Sequence, residues 1–170
     1  MLTSSQKKWI SHLDTKKVKI VPYNPKVKPI FEKIKREIQE VLGRVEIIHC
    51  GSTSLGILGQ GEIDLYIPVP GNIFNIHLKK LIEHFGRAGS IYPTKRARFV
   101  EYVNSTKVEI FLINREIDDW TNCVKFENYL KKHPESLERY KRLKEKSDGL
   151  TVQEYYQRKL EFFNQIINLS

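Results

Sequence analysis

The apolar positions change period several times along the chain, and each change marks an element. Residues 4–14 place Trp9, Ile10 and Leu13 on one side, which predicts a short helix. "KKVKIVPY" (16–23) alternates and reads as a short strand or an extended arm. From Val27 to Leu42, residues Ile30, Phe31, Ile34, Ile38, Val41 and Leu42 fall at three- and four-residue steps, so an amphipathic helix is expected there, with Gly43 as its stop. "VEIIHC" (45–50) is β-branched and reads as a strand, and "GSTSLG" after it predicts a turn into a short helix that Ser52 or Thr53 can cap. "EIDLYIPV" (62–69) is a second strand, 72–86 a helix closed by Gly86, and 96–114 a hairpin around Asn104-Ser105-Thr106. Helices are expected over about 118–132, 135–147 and 152–168, the last opened by the capping box Thr151-x-x-Glu154. Strands first and helices last make an α+β pattern: a mixed sheet flanked by helices, with a C-terminal helical layer over 118–168 and an N-terminal helical extension over 1–17.

One strand breaks the ordinary pattern. Residues two apart on a strand point to the same face, so Glu62 and Asp64 project together. Like charges at that separation repel unless a cation lies between them, and carboxylate oxygens suit a hard ion such as Mg²⁺, or Mn²⁺ in its place. Glu109, in "KVEIFLI", is the lone charge in the apolar run of Val108, Ile110, Phe111 and Leu112 and supplies a third carboxylate. Three carboxylates on neighbouring strands can hold two metal ions for in-line phosphoryl or nucleotidyl transfer. Gly51-Ser52, ahead of a short helix, adds close backbone approach, free amides and the Ser52 and Ser54 hydroxyls toward phosphates. The bland alternatives are a solvated edge strand for Glu62 and Asp64, a cross-strand pair with Lys or Arg for Glu109, and simple capping for the serines. His49 reads either as a substrate contact or as a satisfied, half-buried histidine. Arg96 and Arg98 read either as phosphate contacts or as surface charges. Tyr23 reads as packing near the site or, by default, as core packing, and Lys79-Lys80 and Lys131-Lys132 as solvated helix faces.

Charge sharpens this picture. The net +9 divides into +7 for residues 1–44, −1 for 45–124 and +3 for 125–170, a near-neutral centre between basic ends that attract polyanions. No apolar run of about 18 residues is present, so no membrane span is expected. "MLTSSQKKWISHL" lacks the apolar core of a signal peptide, and Cys50 and Cys123 form no close-spaced metal pair, so both are expected as reduced thiols in the cytoplasm.

Gly-Ser, a spacer of about ten residues, acidic–apolar–acidic and a later strand carboxylate together resemble the polymerase-β-like nucleotidyltransferase superfamily. "VPYNP", "HCGSTSLGILGQGEIDL", "YKRLKEKS" and "YYQRKLEFFNQII" resemble the GrpB family, over roughly residues 18–168. The resemblance implies a nucleotidyltransferase-like domain over 1–170. Tyr155 and Lys159, four apart on one helix face, match a Tyr-x-x-x-Lys pattern of the family, which implies a nucleotide-facing role; the bland alternative is a surface lysine beside a packing tyrosine. Many relatives lack an acid at the position of Glu62 or of Glu109, whereas this chain carries all three. The implied activity is transfer of a nucleoside monophosphate from an NTP to a hydroxyl or phosphate acceptor, which could be a small molecule, a protein or RNA. The alternative is a non-catalytic nucleotide- or RNA-binding module on the same fold.

Overall fold

The computed structural model describes residues 1–169. Its elements are α1 (Ser4–Ser11), α2 (Val27–Leu42), β1 (Ile48–Cys50), α3 (Gly51–Ser54), β2 (Ile63–Val69), α4 (Phe74–Phe85), β3 (Ser90–Tyr92), β4 (Arg96–Val103), β5 (Thr106–Asn114), α5 (Asp118–Lys132), α6 (Pro134–Glu145) and α7 (Val152–Ile167). The strands form one five-stranded sheet in the order β1-β2-β5-β4-β3. β2 and β5 run parallel, and the other pairs run antiparallel. This is the expected α+β fold, a mixed sheet flanked by helices.

Alternation gives the sheet two different faces. Ile63, Leu65, Ile67, Val108, Ile110 and Leu112 point one way and are fully buried against α2 and α4, with Ile38, Phe74 and Leu81. Each such side chain contributes about 1.5–3 kcal/mol of burial, so this face fixes the register of the central parallel pair. The register in turn fixes the other face. It sets Asp64 beside Glu109 and Tyr66 beside Phe111, and Tyr66 stacks on Phe111 at 4.7 Å and leans on Trp120 of α5 at 5.6 Å. A second core ties α5, α6 and α7 together through Phe126, Leu130, Tyr140, Phe162 and Ile166, and Ile57 of the loop after α3 joins it.

Several boundaries differ from the pattern-based expectation, each for a physical reason. β1 is limited to three residues because only Ile48, His49 and Cys50 find partners on β2, while Val45 folds back to bond Gly43 O. Residues 16–23 form an extended arm rather than a strand. Its isolated bridges are Lys17 with Thr151 and Val21 with Gly59, so it straps the loop before α7 to the loop after α3. α1 stops at Ser11, and the 72–86 segment begins with a 3-10 turn, Gly71–Ile73, before α4. β3 was not expected from its short sequence. The hairpin turn has Asn104 at φ 49° and Ser105 at φ 65°, the left-handed pair that a two-residue turn between twisted strands demands. α7 opens on the Thr151/Glu154 capping box as expected. Among the described residues, no helix is long and apolar enough to cross a membrane.

Candidate active site

Glu62 precedes β2, Asp64 lies on it and Glu109 lies on β5, all on the sheet face turned away from α2 and α4. Each offers a carboxylate oxygen within 4.8 Å of the other two. The donor set is all hard oxygen, without sulfur or imidazole, and fits Mg²⁺ or Mn²⁺. The cluster is not bare, however. Lys107 Nζ lies 2.8 Å from Glu62 Oε2 and 2.6 Å from Glu109 Oε1. Arg98 Nη1 donates to the same Glu109 oxygen at 3.0 Å. Burial opposes the charge on Lys107, but its hydrogen bonds to Glu109 and Glu62 outweigh this and hold its pKa above the ordinary lysine value. Asp64 has no ion-pair partner among the described residues. Burial first, and then the charge of Glu62, push its carboxyl up to about 7, against the pull of Lys159.

Gly51 joins β1 to α3 at φ +80°, where a side chain is strained, and a Cβ there would overlap Asp64 Oδ2. Glycine is therefore required twice over, by its backbone angle and by the close approach of the turn to the carboxylate. The free donors of this turn are partly engaged. Gly51 N–H donates to Glu127 Oε1, and Ser54 Oγ donates to Glu127 Oε1 at 3.1 Å and Oε2 at 3.2 Å. Glu127, buried on α5, also pairs with Lys131 at 3.1 Å, so Lys131 is more than a solvated charge. The hydroxyl of Ser54 faces Glu127 and Gly51 O, which leaves Ser52 as the serine turned elsewhere. Ser52 Oγ packs on Gly59 so closely that a Cβ at residue 59 would come within 2.6 Å of it, and 3.9 Å from Lys144 Nζ.

The C-terminal helices bring two lysines to this region. Lys144 of α6 is 2% exposed and donates to Tyr155 OH at 2.9 Å, and its Nζ sits 4.8 Å from the Tyr140 ring. Burial and then the charge of Lys159 push its pKa down to about 7, opposed by Asp64 and Glu62. Lys159 Nζ lies over the Tyr156 ring at 5.2 Å and the Tyr155 ring at 6.0 Å. Tyr155 is itself buried, and its hydroxyl is engaged by Lys144.

The remaining candidates fall on the bland side. His49 Nε2 bonds Thr53 Oγ1 at 2.8 Å and stacks on Phe31 at 4.9 Å; burial lowers its pKa to about 4. It is a satisfied, half-buried histidine that anchors the turn. Arg96 lies over Tyr92 at 5.1 Å and Phe111 at 5.9 Å, and Arg98 pairs with Glu109. Tyr23 is 40% exposed and lines a cleft of about 490 Å³ with Ile20, Val21, Ile57 and Lys141, in place of the core packing expected for it. Cys50 and Cys123 are free thiols, and a hydrogen bond with Cys123, then burial, push the Cys50 thiol up.

No sequence pattern marks Glu127, Lys107, Lys144 or Gly59, and nothing in "YKRLKEKS" distinguishes Lys144 from the solvated lysines around it.

Comparison with known proteins places the chain in a family. A UPF0157 protein of Vibrio cholerae is 23% identical over 147 residues, covering 85% of this chain and 78% of that protein. The crystal structure of GrpB from Enterococcus faecalis superposes with a TM-score of 0.61 at 17% identity, over 88% of this chain and 95% of that one, which speaks to the fold alone. Cid1 poly(U) polymerase, solved with Mg and 3′-dATP bound, is a more distant likeness, with a TM-score of 0.47 and 14% identity over 83% of this chain and 44% of that one. The GrpB protein family model matches residues 17–169, from the strap to the end of α7, and the chain belongs to the GrpB family.

Proposed function

We propose that this chain is a divalent-metal-dependent nucleotidyltransferase that moves a nucleoside monophosphate from an NTP to a hydroxyl or phosphate acceptor. The observation that carries the reading is the convergence of Glu62, Asp64 and Glu109 within 4.8 Å at the foot of the Gly51-Ser52 turn. Glu62, Asp64 and Glu109 would hold Mg²⁺ or Mn²⁺. When bound, such an ion neutralises triphosphate charge and lowers the pKa of an acceptor hydroxyl. Ser52 donates a hydrogen bond to a phosphate oxygen, and Gly51 keeps that approach open. Glu127 holds the turn rigid through Gly51 N–H and Ser54 Oγ; Ser54 thus serves the phosphate site by fixing its shape. Lys144 and Lys159 add positive charge on the helical side, and Tyr155 orients Lys144. Of the three carboxylates, Glu109 is the one assigned to accept the acceptor's proton. Catalysis is mainly positioning and charge neutralisation.

One observation favours a second reading. Lys107 and Arg98 already compensate Glu62 and Glu109, as they would in a nucleotide- or RNA-binding module that never loads a metal. A thermal-shift panel of ATP, GTP, CTP and UTP, with Mg²⁺ or with chelator, separates the two. The transferase reading requires stabilisation by at least one NTP that depends on Mg²⁺; stabilisation that survives chelation supports the binding module.

A further inference from the structure

The ammonium of Lys107 stands between Glu62 and Glu109 at 2.8 and 2.6 Å. The first is a charge-assisted hydrogen bond and the second an ion pair at contact distance. The placement is built by the hairpin. Residues 107 and 109 alternate onto the same face of β5, and the parallel register sets Asp64 directly opposite Glu109. Tyr102 is the cross-strand partner of Lys107 on β4, and the Arg98 side chain reaches Glu109 from the same strand. The lysine therefore enters the cluster from one side, between Glu62 and Glu109, without crossing Asp64.

Charge counting gives the consequence. Glu62, Asp64 and Glu109 bring three negative charges. Lys107 and Arg98 return two positive charges in direct contact; Asp64, the member of the cluster without an ion-pair partner among the described residues, carries the remaining negative charge when ionised, with Lys159 and Lys144 acting on it from farther off. One divalent cation at Asp64 more than balances that remainder. A second would meet Lys107 at ion-pair distance from both outer carboxylates, and like charges that close repel strongly at low effective dielectric.

We propose that Lys107 is a built-in counter-cation that takes the electrostatic place of a second metal ion, so that the free protein loads a single divalent cation, centred on Asp64. This rests on the metal-dependent reading of the site. Lys107 is then a positioning residue: it bridges Glu62 and Glu109 and orients them while Asp64 takes the ion, and it leaves any second divalent cation to arrive with the triphosphate, whose own charge offsets it.

The test is a count of bound Mn²⁺ on the full chain without nucleotide, read from loss of the free-ion electron paramagnetic resonance signal. Wild type is expected to bind one Mn²⁺, and Asp64→Asn none. Lys107→Met is expected to bind two, with the first held about tenfold tighter or more. Lys79→Met, at an exposed position on α4, should match wild type. Two ions on wild type, one ion on Asp64→Asn, or a Lys107→Met protein with wild-type count and affinity would each overturn the proposal while leaving a metal site in place. Absence of Mn²⁺ from all the proteins would overturn it together with the metal-dependent reading. If Lys107→Met does not melt cooperatively, the wild-type and Asp64→Asn counts decide the matter alone.

Discussion

Asp64→Asn should make the metal-free protein more stable, although it removes a residue placed at the centre of the site. In the folded chain the Asp64 carboxyl titrates at about 7, against an ordinary value of 3.8, because burial and then Glu62 penalise its ionised form. The folded state therefore holds this proton more tightly than the unfolded chain does. Between about pH 4 and pH 7 the native state binds more protons, so stability falls as pH rises through that window and stays low above it. Three pKa units correspond to about 4 kcal/mol. Asp64 is only half-buried, and solvent screening reduces the expected effect to about 1–3 kcal/mol. Asparagine keeps the shape and does not ionise, so the variant lacks this slope. Urea denaturation with chelator, followed by tryptophan fluorescence, should give nearly equal stabilities at pH 4 and a gap that widens up to pH 7. Trp120, buried 5.6 Å from Tyr66 on the same face, is the natural reporter. A gap independent of pH, or a variant less stable than wild type at pH 8, would refute the reasoning. Saturating Mg²⁺ should reverse the order, because a bound cation favours the ionised carboxylate.

Four further outcomes follow from other contacts. Gly51→Ala should lower stability by about 1–3 kcal/mol and weaken metal binding, since its Cβ would press on Asp64 Oδ2; thermal melts and Mn²⁺ titration check this. Ser52→Ala should weaken NTP binding by roughly 1.5–3 kcal/mol with an unchanged melting temperature, as measured by calorimetry. Glu127→Gln should cost about 1–3 kcal/mol in denaturant unfolding, because its carboxylate serves Gly51 N–H, Ser54 and Lys131 together. Lys144, with its pKa lowered to about 7, binds fewer protons folded than unfolded between pH 7 and its ordinary value of 10.5. Wild-type stability should therefore gain a rising contribution across that window, and Lys144→Met should remove it in a pH series of melts.

The parts of the site that were legible in the sequence are those that break a pattern. Glu62 and Asp64 violate the expectation for a strand with an apolar flank, and strand parity puts both on one face; Glu109 stands out as the lone charge in an apolar run, but only the register of β2 on β5 sets it beside Asp64. Gly51-Ser52 was legible because a glycine after a β-branched strand signals a turn. Lys107 was not, because a lysine at a strand start is ordinary, and only the register of β2 on β5 sets it between two carboxylates. Glu127 lies among polar residues of α5, and nothing local says that this one turns inward to the α3 turn. Lys144 belongs to the run "KRLKEK", where burial depends on how α6 meets α7. At the level of fold, long amphipathic helices such as α2 carried many periodic positions and were read to the residue. β1 and β3, at three residues each, exist because of their partners and have no periodicity of their own to read.

A triphosphate site that Glu62, Asp64 and Glu109 build around a divalent cation should bind nucleotide only when that cation is present. Calorimetric titration of ATP, GTP, CTP and UTP into wild type and Asp64→Asn, with Mg²⁺ or with chelator, tests it most directly. At least one NTP should bind wild type markedly more tightly with Mg²⁺ than with chelator, because without the cation the carboxylates repel the triphosphate, and Asp64→Asn should lose that difference. Equal affinity in both conditions, or no binding of any nucleotide, would contradict it.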